Sequence, residues 1–244
     1  MSEFSYRDKR LGDNEAIVVS TTEAVFHPTS TTALLLRAAR GAYRKDFRTV
    51  LDLGCGSGVV AIVLARLLPG TLVHASDLSP AAVRLTNSNA ERNGVQVDCR
   101  CGSSFEPWAD QRFDLIVDDV AGVAEPFDRL SGWYPPGVPS DAGPDGARWI
   151  LEILDRACDH LTPIGRLVFP VLTLSREDRI LERARARFSV VTQVEEQWYP
   201  LNDPLTRNFS LVEQHARDGN ISVEKRGSRW CWATKIYVAE GPRG

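Results

Sequence analysis

The sequence lacks any apolar run long enough to cross a bilayer. Its longest stretch without a charged residue, Leu53 to Ala65, falls short of the about 18 residues such a helix needs and is broken by three glycines. The opening residues MSEFSYRDKR hold no apolar segment of the kind that directs secretion, so no membrane association is expected. An excess of charge of one sign is missing too. Lys plus Arg number 29 against 32 for Asp plus Glu, a net charge of -3 that leaves no broad field to draw in polyanions, and nucleic acid is not an expected partner. Cysteine is sparse. Cys55, Cys99, Cys101, Cys158 and Cys231 are odd in number and scattered through a chain long enough to need no staples, which suits a reducing, cytoplasmic setting. Cys99 and Cys101 fall on one face of a candidate strand, yet no second Cys or His pair completes a zinc site. His27, His74, His160 and His215 keep no ligand spacing, and no metal is expected.

What is present is an ordinary globular composition, 43% hydrophobic and 25% charged over 244 residues, sized for one α/β domain with additions. From Thr49 onward, short apolar runs alternate with amphipathic ones, the pattern of βα units feeding a mostly parallel sheet. Thr49 to Leu53, Leu72 to Ser76, Val97 to Cys101, Phe113 to Val117 and Arg166 to Leu172 read as strands. Helices are expected from Val59 to Leu68, from Ser79 with Pro80 at its first position to Asn93, and along the stripe Ile150, Ile153, Leu154, Ala157, Cys158, Leu161. Ser175 with Asp178 is a capping-box-like start for a helix to Arg187, with a strand from Ser189 to Trp198 after it. Gly227-Ser228 suits a tight hairpin turn between Ile221 to Arg226 and Arg229 to Ala239. Asp118 to Gly146, with five prolines and five glycines, reads as a long shaped loop.

The most informative stretch is Val50-Leu-Asp-Leu-Gly-Cys-Gly-Ser-Gly58, where the first strand must turn into the first helix. Glycines there let a ligand approach the backbone at the carboxyl edge of the sheet, beside a helix N-terminus. The spacing departs from the G-x-G-x-x-G dinucleotide fingerprint because Val59 stands three beyond Gly56, so nicotinamide and flavin cofactors take second place. Asp77 ends the second strand, where a carboxylate can accept both ribose hydroxyls, and Asp52 can receive an ammonium group. The set describes a site for an amino-acid nucleoside.

Here the chain resembles the class I S-adenosylmethionine-dependent methyltransferases, whose cofactor site matches Asp52, Gly54, Gly56, Gly58 and Asp77. It looks most like the branch of the release-factor glutamine methyltransferases. Val25-Phe-His-Pro-Thr-Ser-Thr-Thr-Ala-Leu-Leu35 is similar to that branch's V-Y-x-P-x-x-x-T-x-L-L segment, which puts Thr32 by the cofactor, and Ala142-Gly-Pro-Asp-Gly146 is similar to its G-G-x-D-G. The resemblance implies S-adenosyl-L-methionine as cofactor and a Rossmann-like, mostly parallel seven-stranded sheet with helices on both faces and an antiparallel last strand. Residues 1–40 would form an N-terminal lid segment and residues 41–244 the methyltransferase domain.

Two departures bear on the site. Gly102-Ser-Ser-Phe105 replaces the family's G-D-L-F, so Ser103 stands where a carboxylate usually faces the adenine amine. Where the branch has N-P-P-Y after F-D-L-I-V-x, this chain reads Asp119-Val-Ala-Gly122. A carboxylate accepts hydrogen bonds but cannot donate them when ionised, so Asp119, helped by Asp118 or Glu125, suits a nitrogen that presents N–H donors and positive charge. With only about 45 residues before the first strand, release-factor modification is not expected. The expectation is N-methylation of a small cationic amine or guanidine, a basic amino acid such as arginine being the example. Modification of a protein side-chain nitrogen, or cofactor binding without catalysis, stands as the alternative. Val120 joins Asp119 in the acceptor site, Trp133 and Tyr134 offer aromatic faces to a cation, and Pro200 to Pro204 forms a further wall.

Overall fold

A computed structural model describes residues 2–12 and 15–243 of the chain. It opens on a hairpin that periodicity did not signal, β1 (Ser2–Arg7) paired antiparallel with β2 (Ala16–Thr21). Only β2 alternates cleanly, burying Ile17 and Val19 in the main core. Its outer edge is satisfied by side chains. The amides of Asn89 and Asn93 each both donate to and accept from the backbone of Ser20 and Val18 respectively, at 2.8–3.2 Å, and stand in for a neighbouring strand. Leu11, Ile17, Val19, Leu34 and Leu35 thus share the core of the sheet domain.

α1 (Ser30–Ala42) follows a capping box in which Thr29 and Thr32 satisfy each other's backbone N–H groups. The βα units then appear as β3 (Thr49–Leu53), α2 (Val59–Leu67), β4 (Leu72–Asp77), α3 (Pro80–Arg92), β5 (Asp98–Cys101) and β6 (Phe113–Asp118). Ser79 caps α3 with Pro80 at its first position, where the missing N–H costs nothing. The chain continues through α4 (Phe127–Ser131), α5 (Arg148–His160), β7 (Leu161–Leu172), α6 (Glu177–Arg187), β8 (Phe188–Pro200), α7 (Asp203–Arg207), α8 (Phe209–Arg217), β9 (Glu224–Arg226) and β10 (Arg229–Pro242).

The main sheet runs β5-β4-β3-β6-β7-β10-β8, with β9 paired to β10. From β5 to β7 neighbours are parallel, while β10 is antiparallel to β7 and β8. The sheet therefore has eight strands where the resemblance implied seven, the eighth being β9, the expected hairpin arm shortened to Glu224–Arg226. Successive residues feed opposite cores. Val50, Leu115 and Val117 pack with α1 and α2, whereas Leu51, Leu53 and Ile116 pack with α5 and α6. A sheet buried on both faces needs this continuous apolar character.

Asp118 to Gly146 is shaped rather than loose. Val123, Ala124 and Phe127 are buried with Leu201, Leu205, Val212 and Trp232 in a third cluster that ties the loop to α7, α8 and β10. Gly146 fastens its end: with φ +69° and a Cβ position 2.6 Å from the Ala124 nitrogen, only glycine fits there. Ser175 does not cap α6. Its hydroxyl donates to the Leu172 carbonyl instead, and the helix begins at Glu177 after Arg176 without a side-chain cap.

Candidate functional site

At the carboxyl end of β3 the backbone turns sharply through Gly54 and Gly56, with φ of +74° and +54°. The Gly54 and Cys55 N–H groups both donate to the Ser76 carbonyl at 2.9 and 3.1 Å, which holds the turn against β4. A Cβ on Gly54 would lie 2.9 Å from Val120 Cγ1 and 3.2 Å from the Asp119 carbonyl oxygen. The missing side chain is what lets the glycine turn touch the 119–122 segment. Both segments line the main cavity. Thr32, Asp52, Gly54, Gly56, Asp77, Ser103, Asp119, Val120 and Tyr134 all line it.

The carboxylates in it differ in their partners. Asp77 accepts from the Gly56 N–H at 2.9 Å and the Ser79 N–H at 2.8 Å, so it fixes the turn and the start of α3 together; burial raises its pKa. Asp52 is fully buried. One oxygen accepts from the Ala61 N–H in the first turn of α2 at 3.0 Å, and the other, Oδ1, is buried with no partner in the chain. Burial, then the nearby Asp119, drives its pKa well up. Asp119 Oδ2 accepts from the Thr32 hydroxyl at 3.0 Å, and burial pushes its pKa up to about 6 against the lowering effect of that bond. Among the described residues, no Lys, Arg or His lines the cavity.

Several expected site residues lie elsewhere. Gly58 is the N-cap of α2, packed on Thr86 outside the cavity. Asp118 turns away from Asp119, as neighbours at a strand end must. Its Oδ1 accepts from the Val120 N–H at 3.1 Å, its Oδ2 has no partner, and burial pushes its pKa up to about 8. It lines a separate small hollow with Gly146 and Ser175. Glu125 forms an i,i+4 ion pair with Arg129 at 2.6 Å. Trp133 packs on Trp232 with ring centroids 5.0 Å apart, in the third core. Pro200 to Pro204 forms no wall; Asn202 caps α7.

Other lining residues carried no signal of their own. Phe26 packs on Tyr134 with tilted rings 5.0 Å apart, and both line the cavity. Trp149 reaches the cavity from the first turn of α5, its Nε1 donating to the Asp141 carbonyl at 2.9 Å. Tyr134 lines the cavity together with Gly122, which occupies the place of the branch's final tyrosine; burial raises the phenol's pKa.

Residues 17–119 match the methyltransferase small domain family. Over that span the chain matches the family, and its fold is that of the class I S-adenosylmethionine-dependent methyltransferases. The family's cofactor fits the cavity's chemistry, since the unpartnered Asp52 oxygen is a waiting acceptor for an ammonium group and Asp77 has lone pairs left for hydroxyls. The chain resembles the release factor glutamine methyltransferase of Geobacter sulfurreducens, 40% identical over 49% of this chain and 43% of that protein. The enzyme of the same name from Gloeobacter violaceus is 31% identical over 68% and 58%. The ribosomal protein uL3 glutamine methyltransferase of Bradyrhizobium diazoefficiens is 36% identical over 49% and 39%. The chain thus spans about half the length of these relatives. Among solved structures, the T. thermophilus 16S rRNA N2 G1207 methyltransferase shares the fold with a TM-score of 0.60 at 17% identity, covering 98% of this chain and 50% of that one.

The names of the sequence relatives overturn one expectation. They act on glutamine in proteins, so a small-molecule substrate, and with it a role in small-molecule biosynthesis, is withdrawn. The error came from reading one carboxylate as a selector for positive charge, when an uncharged –NH2 group presents the same N–H donors. Among the described residues, no helix is long and apolar enough to cross a membrane.

Proposed function

We propose that this chain methylates a side-chain nitrogen of a protein, with a glutamine amide as the preferred acceptor. The observation that carries this reading is the acceptor rim beside the glycine turn: the Asp119 carboxylate and the Asp119 backbone carbonyl, with no basic side chain among the described residues lining the cavity. A primary amide brings two N–H donors, which such a rim can hold. S-adenosylmethionine, when bound, supplies an electrophilic methyl group on a sulfonium.

The chain's own residues orient and polarise. Asp119 Oδ2 is committed to Thr32, so its remaining acceptor capacity is left for the incoming nitrogen. Accepting an N–H there raises the electron density on the nitrogen and gives its proton a place to go as the methyl bond forms. Tyr134 lines the same cavity, where its phenolic proton can donate to the amide oxygen and orient the group. Phe26 and Tyr134 exclude water at the opening. The five free cysteines suit work in a reducing compartment, which supports a cytoplasmic setting.

The test is incubation with radiolabelled S-adenosylmethionine and purified release factor or ribosomal protein uL3, with free glutamine and free arginine as controls. A methyl group mapped to a glutamine of the protein is the expected result. Label on free arginine alone would overturn it, and cofactor binding without transfer to any acceptor would favour a binding module.

A further inference from the structure

The glycine turn contains a second chemistry that methyl transfer does not use. Cys55 sits between the two left-handed glycines and lines the cavity, and its sulfur lies 3.7 Å from that of Cys99 on β5. We propose that Cys55 and Cys99 form an oxidisable pair, a covalent modification site whose closure to a disulfide shuts the cofactor pocket. The proposal goes beyond the acceptor reading and does not depend on which nitrogen is methylated.

The geometry is close to bonding distance already. A disulfide needs about 2.05 Å between sulfurs, so one must approach the other by about 1.7 Å. The two sulfurs differ in access. Cys55 is buried and Cys99 half-buried, so an oxidant from solvent meets Cys99 first. The hydrogen bond to Cys99 and burial hold the Cys55 thiol well above its ordinary pKa, which keeps it in reserve as the resolving group. The Cys99 thiolate takes one oxygen from hydrogen peroxide, forming a sulfenic acid and releasing hydroxide. The Cys55 sulfur then displaces hydroxide from the Cys99 sulfur, and the Cys55 proton leaves in the water so formed. In sum, two thiols and one peroxide give one disulfide and two waters.

Closure would strain the turn. Cys55 is held by its N–H to the Ser76 carbonyl at 3.1 Å and by its carbonyl accepting from Gly58 at 2.7 Å, while the Gly56 N–H is tied to Asp77. Pulling the sulfur toward β5 draws on a backbone whose flanking glycines are the parts able to move. The same backbone must meet the ligand. Cys101, two residues along and exposed, is the competing partner for Cys99.

The experiment treats the full chain with hydrogen peroxide, maps disulfides by peptide mass, and measures S-adenosylmethionine affinity by calorimetry before and after dithiothreitol. Expected are a Cys55–Cys99 cross-linked peptide with the loss of two hydrogens, affinity weakened at least about tenfold, and full recovery on reduction. Cys99→Ser should bind the cofactor normally and ignore peroxide, while Cys101→Ser should respond as the parent does. A Cys99–Cys101 bond, a sulfinic acid at Cys99, or a Cys55–Cys99 bond that leaves affinity unchanged would each overturn the proposal. Should the reduced chain fail to bind S-adenosylmethionine at all, the cross-link is still read by mass, and the failure belongs to the cofactor reading.

Discussion

The Thr32 hydroxyl donates to Asp119 Oδ2 at 3.0 Å while accepting from the Thr29 backbone N–H at 3.2 Å. A hydroxyl has one proton, so accepting from the helix cap points that proton at the carboxylate and fixes the Asp119 rotamer. The N-terminus of α1 thereby helps set the ionisation of a residue that enters from β6.

Replacing Asp119 should separate binding from turnover. Asp119→Ala is expected to lower kcat/KM by about 100-fold or more, with cofactor affinity by calorimetry within about threefold of the parent. An equal collapse of both would move Asp119 into the cofactor's own contacts.

Turnover should also report the carboxyl's ionisation. With a pKa pushed up to about 6, Asp119 is an acceptor above that pH and is progressively protonated below it, so the rate should fall on the acid side of about pH 6. Thr32→Val removes a bond that lowers the pKa, so this limb should move to higher pH, and the weakened cap should cost about 1 kcal/mol of stability. An unmoved limb would mean that another group controls it.

Asp118 gives a stability prediction of the opposite kind to most acids. Its pKa is raised from 3.8 to about 8, so the folded chain binds the proton more tightly than the unfolded one, and stability drains away as pH climbs between those values. Asp118→Asn keeps an acceptor for the Val120 N–H and carries no charge. It should therefore melt above the parent at pH 8 and near it at pH 4, with about 2–4 °C for each kcal/mol in a chain of this size.

Gly146→Ala puts a methyl group 2.6 Å from the Ala124 nitrogen at a φ that side chains avoid. A loss of about 2–4 kcal/mol in denaturant unfolding is expected. A neutral substitution would show that the loop yields more easily than its packing implies.

The parallel units were legible where backbone demands and burial coincide: β3 had to be apolar on both faces and its turn had to be glycine. The β1–β2 hairpin was not, because SEFSYR is half exposed and β2 is braced by asparagines some 70 positions away. Within the site, Asp52 and Asp77 could be named from spacing and Asp119 from the resemblance, but adjacent residues could not be sorted by direction. Asp118 and Asp119, like Trp133 and Tyr134, differ by one position, and in each pair only the second lines the main cavity. The Glu125–Arg129 pair was readable from its i,i+4 spacing, had the segment been recognised as helical.

The contact between the Gly54 backbone and the Val120 side chain carries a lesson for redesign. Grafting a different tetrapeptide at 119–122 to change what is methylated would press new bulk directly onto the donor side of the pocket, so specificity and methyl-donor affinity cannot be tuned one at a time. Any transplant has to move both loops as a matched pair.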